Sequence, residues 1–173
     1  YVPMSAVMVG DRVADRLIAD GGEFYHGFTY SGHPVAAAVA LANLEIIENE
    51  KLIEKVRTDT GPYLAEALKA LSGHPLVGEV RSFGMLAAIE LVKHKAGPIL
   101  FDATGEVGAI CRDHAISGGL MLRAVRDSLI MSPPLTFDRD DIEKVVQITK
   151  HALDKTAEEI NINSPSCRRR RIL

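Results

Sequence analysis

The sequence predicts a mixed α/β fold in two parts: a piece of an α/β domain over about residues 1–45, then a compact α+β unit over about 46–160. Three observations predict it. Two strand pairs, GEVRSF with MLAAIELV around Gly84 and LMLR with SLIMS around residues 124–127, flank a helical stretch. Near the end, Ile142, Val145, Val146, Thr149, Leu153 and Ile160 form one apolar stripe at helical spacing. At the other end, a loop rich in glycine and aromatic residues, YHGFTYSGHP, opens onto an alanine-rich helix.

In chain order, YVPMSAVMVGD predicts a strand over residues 6–9, ended by Gly10 and Asp11. Val13, Leu17 and Ile18 then mark a short helix that stops at Gly21 and Gly22. Pro34 fits the first turn of the next helix, where its missing N–H is not needed. Behind it, Val39, Ala42, Ile46 and Ile47 fall on one face of a helix expected to be buried, with alanines that allow close approach. A further helical stretch runs to Leu71, with a kink or break at Gly61-Pro62. The strand pair around Gly84 follows, then a helix over about 106–116 that ends at Gly118 and Gly119. The second strand pair stops at Pro133-Pro134, and Asp138 is placed to cap the last helix. NINSPSCRRRRIL carries no such pattern and is expected to be a disordered basic tail over 161–173.

Composition narrows the function classes. The net charge is −3 and would be −7 without the four arginines at 168–171, so the body of the chain is not that of a nucleic-acid binder. No apolar run reaches the roughly 18 residues of a membrane span. Cys111 and Cys167 form no CxxC or Cys/His cluster, which fits reduced thiols in the cytoplasm. The six histidines show no i, i+4 pair beside a carboxylate, so no metal site is expected. Ser117 and Ser132 lack a nucleophile elbow.

Gly27 and Gly32 have phosphate-loop spacing, but His33-Pro34 stand where Lys and Ser or Thr would be required. A threonine hydroxyl, backbone N–H groups beside glycines and a helix start still suit a phosphate oxygen. A helix merely capped by its own loop, with Thr29 satisfying the local backbone, fits the pattern as well. Pattern alone leaves both readings open.

Four segments carry a resemblance: YVPMSAVMVGDRVAD, EFYHGFTYSGHPVAAAVALANLEII, VRSFGMLAAIELV and GLMLRAVRDSLIMSPPLTF. In order and spacing they resemble the C-terminal part of class-III pyridoxal-phosphate-dependent aminotransferases, and the omega-transaminases in particular. The resemblance spans about residues 1–160. It implies the C-terminal part of a fold-type-I transferase: a remnant of the large, cofactor-binding domain (1–45) and the small α+β domain (46–160). It also implies pyridoxal 5'-phosphate as cofactor and a second identical subunit as partner. The implied reaction moves an amino group from an amine or omega-amino acid to a keto acid such as pyruvate.

By position, Thr29 matches the threonine that reaches the cofactor phosphate of the neighbouring subunit, with Phe28 lining that contact. Arg123 matches the arginine that holds a substrate carboxylate and swings aside for amines without one. A planar fork of donors suits that pairing; an ordinary ion pair at a strand end is the plain alternative. The family's Schiff-base lysine would lie upstream of Tyr1, as would the groups that pair and stack the cofactor ring. Lys51, Lys55, Lys69, Lys93, Lys95, Lys144, Lys150 and Lys155 have no pocket implied by their neighbours. This polypeptide is therefore expected to carry no catalytic residue and to form no covalent link to the cofactor alone. A second reading follows: a non-catalytic remnant that serves only as a dimerisation piece.

Overall fold

The computed structural model describes residues 2–96 and 99–160. The tail expected to be disordered, Cys167 included, lies outside the described residues. The chain divides into two compact units, Tyr1–Lys51 and Leu52–Leu173.

In the first unit, α1 (Asp11–Asp20) and α2 (Pro34–Asn49) are joined by the glycine-rich loop. The expected strand over residues 6–9 is absent. A strand exists only by pairing, and among the described residues every ladder lies in the second unit; Val7 and Met8 stand about nine-tenths exposed. The expectation that α2 is buried fails in the same way. No residue of α2 is buried, and Val39, Leu41 and Leu44 present their side chains to solvent.

The second unit begins as one helical run with a change of register: α3 (Leu52–Lys55), a π-helical turn (Val56–Thr60), α4 (Gly61–Lys69) and a 3₁₀ turn (Ala70–Gly73). The break expected at Gly61-Pro62 is thus a π turn. Pro62 offers no N–H to the run, and the Gly61 N–H bonds five residues back to the Val56 carbonyl. In the α-helical register, Thr149 and Thr156 give their hydroxyls to carbonyls four residues back at 2.7 Å. In the π turn, Thr58 makes the same bond to Glu54 O at 2.9 Å, whereas the fully buried Thr60 Oγ1 finds no partner among the described residues.

Strands β1 (Val77–Phe83) and β2 (Leu86–Leu91) form the predicted hairpin. Next come α5 (Glu106–Ser117), β3 (Arg123–Val125), β4 (Ser128–Met131) and α6 (Arg139–Glu159). The sheet is antiparallel with order β1-β2-β4-β3. The second strand pair starts later than the sequence predicts, at Arg123 rather than Leu120. Residues 118–120 close α5 in a Schellman motif: Leu120 N–H bonds to Ala115 O and Gly119 N–H to Ile116 O, both at 2.9 Å, with Gly119 at φ +91°. Leucines 120 and 122 serve that exit and the core before any strand can begin.

Helix α6 packs against α5 and α4, while α4 packs against β1 and α5 against β3 and β4. Leu64, Leu68, Ile89, Leu91, Leu129, Ile142 and Leu153 are fully buried in a single core. Each contributes about 1.5–3 kcal/mol by leaving water. Asp138 caps α6 as expected and forms a full capping box with Asp141. Those backbone N–H donors hold the Asp138 carboxyl below the ordinary carboxylate range.

His74 makes the unit sensitive to acid. Its Nδ1 accepts the Leu76 N–H at 3.2 Å, which leaves Nε2 as the protonated nitrogen, 3.4 Å from Asp154 Oδ1. Burial holds the His74 pKa below its ordinary 6.5, against an opposing pull from Asp154. The unfolded chain therefore takes up this proton first as pH falls. The stability it contributes is whole above the unfolded value and is lost as pH drops through the folded one. Urea midpoints measured at about pH 7.5 and 5.5 should fall on acidification, and His74→Asn, which keeps an acceptor for Leu76, should reduce the fall.

Candidate functional site

The loop before α2 is built from two overlapping turns. Ser31 N–H bonds to Phe28 O at 2.9 Å and His33 N–H to Tyr30 O at 3.2 Å. The first turn places Thr29 and Tyr30 at its corners. The second needs a positive φ at its third position, and Gly32 supplies it at +73°. Ser31 Oγ also accepts the Phe28 N–H at 3.0 Å, so one residue clasps both backbone groups of Phe28. His33 caps α2, its Nδ1 accepting the Ala36 N–H at 3.4 Å.

Capping is therefore the work of His33 and not of Thr29. Thr29 is exposed, and its hydroxyl has no hydrogen-bond partner among the described residues. Phe28 is 77% exposed and its ring meets that of His26 edge-on at 5.7 Å; Phe24 lies a further 5.7 Å from His26 on the other side. The loop presents a free hydroxyl at the corner of a tightly bonded turn.

Arg123 opens β3, an edge strand of the sheet. Through the register Arg123–Ile130–Ala88–Arg81 it shares one transverse row, and hence one face, with Arg81. That face is the one opposite Ala87, Ile89 and Leu129, which are buried. The two arginines differ in one respect. Arg81 is neutralised by Glu79 and by Glu90, at 2.5 and 3.4 Å. Arg123 makes no ion pair among the described residues.

No other cluster competes. Among the described residues no group of three or more His, Cys, Asp or Glu could hold a metal, and no helix is long and apolar enough to cross a membrane. Cys111 is buried, which pushes its thiol pKa up and keeps it unreactive. His114 Nε2 lies 2.8 Å from an exposed Glu159 carboxylate, while Asp113 pairs with Arg112. A cleft of about 510 Å³ lined by Ile53, Val56, Pro62 and Phe83 has Arg57 as its charged member, already paired with Glu54.

Sequence reasoning missed two contributors. One is Ser31: a serine three residues after Phe28 is spaced to close a local side-chain bond. The other is Asp127, in the turn between β3 and β4, which accepts the N–H groups of Gly105 and Gly108 at 2.8 and 2.9 Å and so caps α5 from another element. No local pattern signals a cap supplied from 19 residues away.

The pattern described as "Aminotransferase class-III" matches residues 2–153. The chain belongs to the class-III aminotransferases. The putrescine–pyruvate aminotransferase of Pseudomonas aeruginosa is 51% identical over 157 residues, which is 91% of this chain and 34% of that protein. The mitochondrial gamma-aminobutyrate transaminase 1 of Oryza sativa subsp. indica is 37% identical over 163 residues, 92% of this chain and 31% of that protein. A crystal structure of a thermostable omega transaminase six-fold mutant from Pseudomonas jessenii aligns with a TM-score of 0.77 and 39% identity, over 86% of this chain and 32% of that one. This class-III chain spans about a third of the length of the curated relatives it matches. Its mixed helix and sheet match part of the fold-type-I transferase architecture of those neighbours.

Proposed function

We propose that this class-III chain is part of a pyridoxal-phosphate-dependent aminotransferase that moves an amino group from an aliphatic amine to a keto acid such as pyruvate. The named substrates of the relative at 51% identity, putrescine and pyruvate, support that choice of classes. A second identical subunit, in the cytoplasm, completes the reading. The observation that carries it is the uncommitted Thr29 hydroxyl at the corner of an exposed, doubly bonded turn. A phosphate dianion needs donors that are held in place and not already engaged, and this loop supplies one beside an exposed aromatic ring, so the residues fit the cofactor's phosphate end.

When bound, the cofactor supplies an electron sink for the carbon that loses its proton. This chain's share is binding and orientation. Thr29 donates to the phosphate, Phe28 covers the contact from water, and Arg123 takes a substrate carboxylate in a bidentate grip.

Replacing Thr29 by Ala in the full-length protein should weaken cofactor binding about tenfold or more, as expected for a hydrogen bond to a charged group. Absorbance or fluorescence titration of the cofactor-free protein reads this directly. An unchanged affinity would remove Thr29 from the phosphate site.

A further inference from the structure

We infer that Ser31 is a positioning residue for the phosphate contact, acting through Thr29; the inference rests on the reading of Thr29 just given. Thr29 is anchored by nothing on its own side chain. What fixes it is the turn, and Ser31 makes two bonds that close it. The Ser31 N–H donates to Phe28 O at 2.9 Å, and the Ser31 Oγ accepts the Phe28 N–H at 3.0 Å. The pair forms a clasp around the residue that immediately precedes Thr29. The first bond belongs to any β-turn and survives most substitutions. The second depends on the hydroxyl alone.

The remainder of the loop gives Phe28 limited support. Its ring meets that of His26 edge-on, and it is 77% exposed. Without the Ser31 hydroxyl, the Phe28 N–H loses its acceptor and the 28–31 turn keeps a single bond. The Thr29 hydroxyl would then sample several positions, and part of the binding free energy would go into ordering it. Gly32 at φ +73° and the His33 cap lie after the turn and fix how it joins α2, not where Thr29 points within it. Ser31 thus has a role separable from the helix behind it.

The test compares two probes on the full-length, cofactor-free protein: pyridoxal 5'-phosphate and pyridoxal, which lacks the phosphate. The ratio of their dissociation constants isolates the phosphate contact from general damage to the fold. Ser31→Ala should raise the constant for the phosphorylated probe about three- to tenfold, the worth of one lost hydrogen bond, and leave that for pyridoxal unchanged. Ser31→Thr, which keeps a hydroxyl, should restore the ratio. Thr29→Ala, run in parallel, should compress the ratio at least as far. If Thr29→Ala compresses the ratio and Ser31→Ala does not, the positioning role is wrong while the phosphate reading stands. If neither variant moves it, both fall.

Discussion

Arg123→Ala should divide the substrates of the complete enzyme into two groups. Turnover of keto acids and amino acids that carry a carboxylate at the binding end should fall by roughly 2–5 kcal/mol in kcat/KM, the range for removing one partner of a desolvated charge pair. Simple amines without that carboxylate should be affected far less. The expectation rests on a contrast within one row of the sheet. Arg81 and Arg123 share a face, but Arg81 is held by two glutamates and Arg123 by none among the described residues. An arginine engaged in the protein's own ion pair would give up that pair before gripping a substrate; Arg123 has no such cost. Its place on the first residue of a short edge strand also leaves it exposed. Arg123→Lys should recover only part of the loss, because an ammonium keeps the charge and loses the planar fork. Steady-state kinetics with one carboxylated and one uncarboxylated substrate decide the matter, and equal losses for both would make Arg123 structural.

The elements that local chemistry specifies were legible in the sequence. The α6 stripe and its Asp138 cap, the hairpin at Gly84 and the Gly118-Gly119 stop each depend on residues within a few positions of one another. Elements that need a distant partner were not. Residues 6–9 form a short apolar run ended by Gly10 and Asp11, as a strand does, but composition cannot create a partner strand, and α2 carries a buried helix's composition with none of its residues buried. The Gly61-Pro62 break was legible as a break. Its π register was not, because that follows from which carbonyl the Gly61 N–H finds once Pro62 has withdrawn from the ladder. The resemblance singled out Thr29, Phe28 and Arg123 as candidates, while the hydrogen-bonding and ion-pair state of each was not legible. Whether Thr29 capped its own helix was decided only by His33 holding the Ala36 N–H.

Gly108→Ala should destabilise the second unit by about 3 kcal/mol or more, at the upper end for overpacking, and lower its melting temperature by about 10 °C. A Cβ at this position would stand 2.2 Å from Arg126 O and 2.9 Å from Asp127 Cα. Both obstacles are backbone, so no rotamer change relieves them. The helix must move away from the β3–β4 turn, and that movement breaks more than packing. Gly108 N–H donates to Asp127 Oδ1 at 2.9 Å and Gly105 N–H to Oδ2 at 2.8 Å, so the displaced helix loses the carboxylate that caps it. Asp127 is itself buried, and its backbone carbonyl accepts the Leu91 N–H at 2.8 Å, tying the same turn to the end of β2. One methyl group thus strains the junction of a helix, a turn and a strand at once. The turn also joins the strand that Arg123 opens to β4, so the same substitution should disturb the Arg123 row; Asp127→Ala should do so without any steric insult, by leaving two N–H groups of α5 without their acceptor. Thermal unfolding of the two variants separates these contributions. If Gly108→Ala melts within a degree or two of the parent, α5 is not seated against the turn as tightly as these distances require.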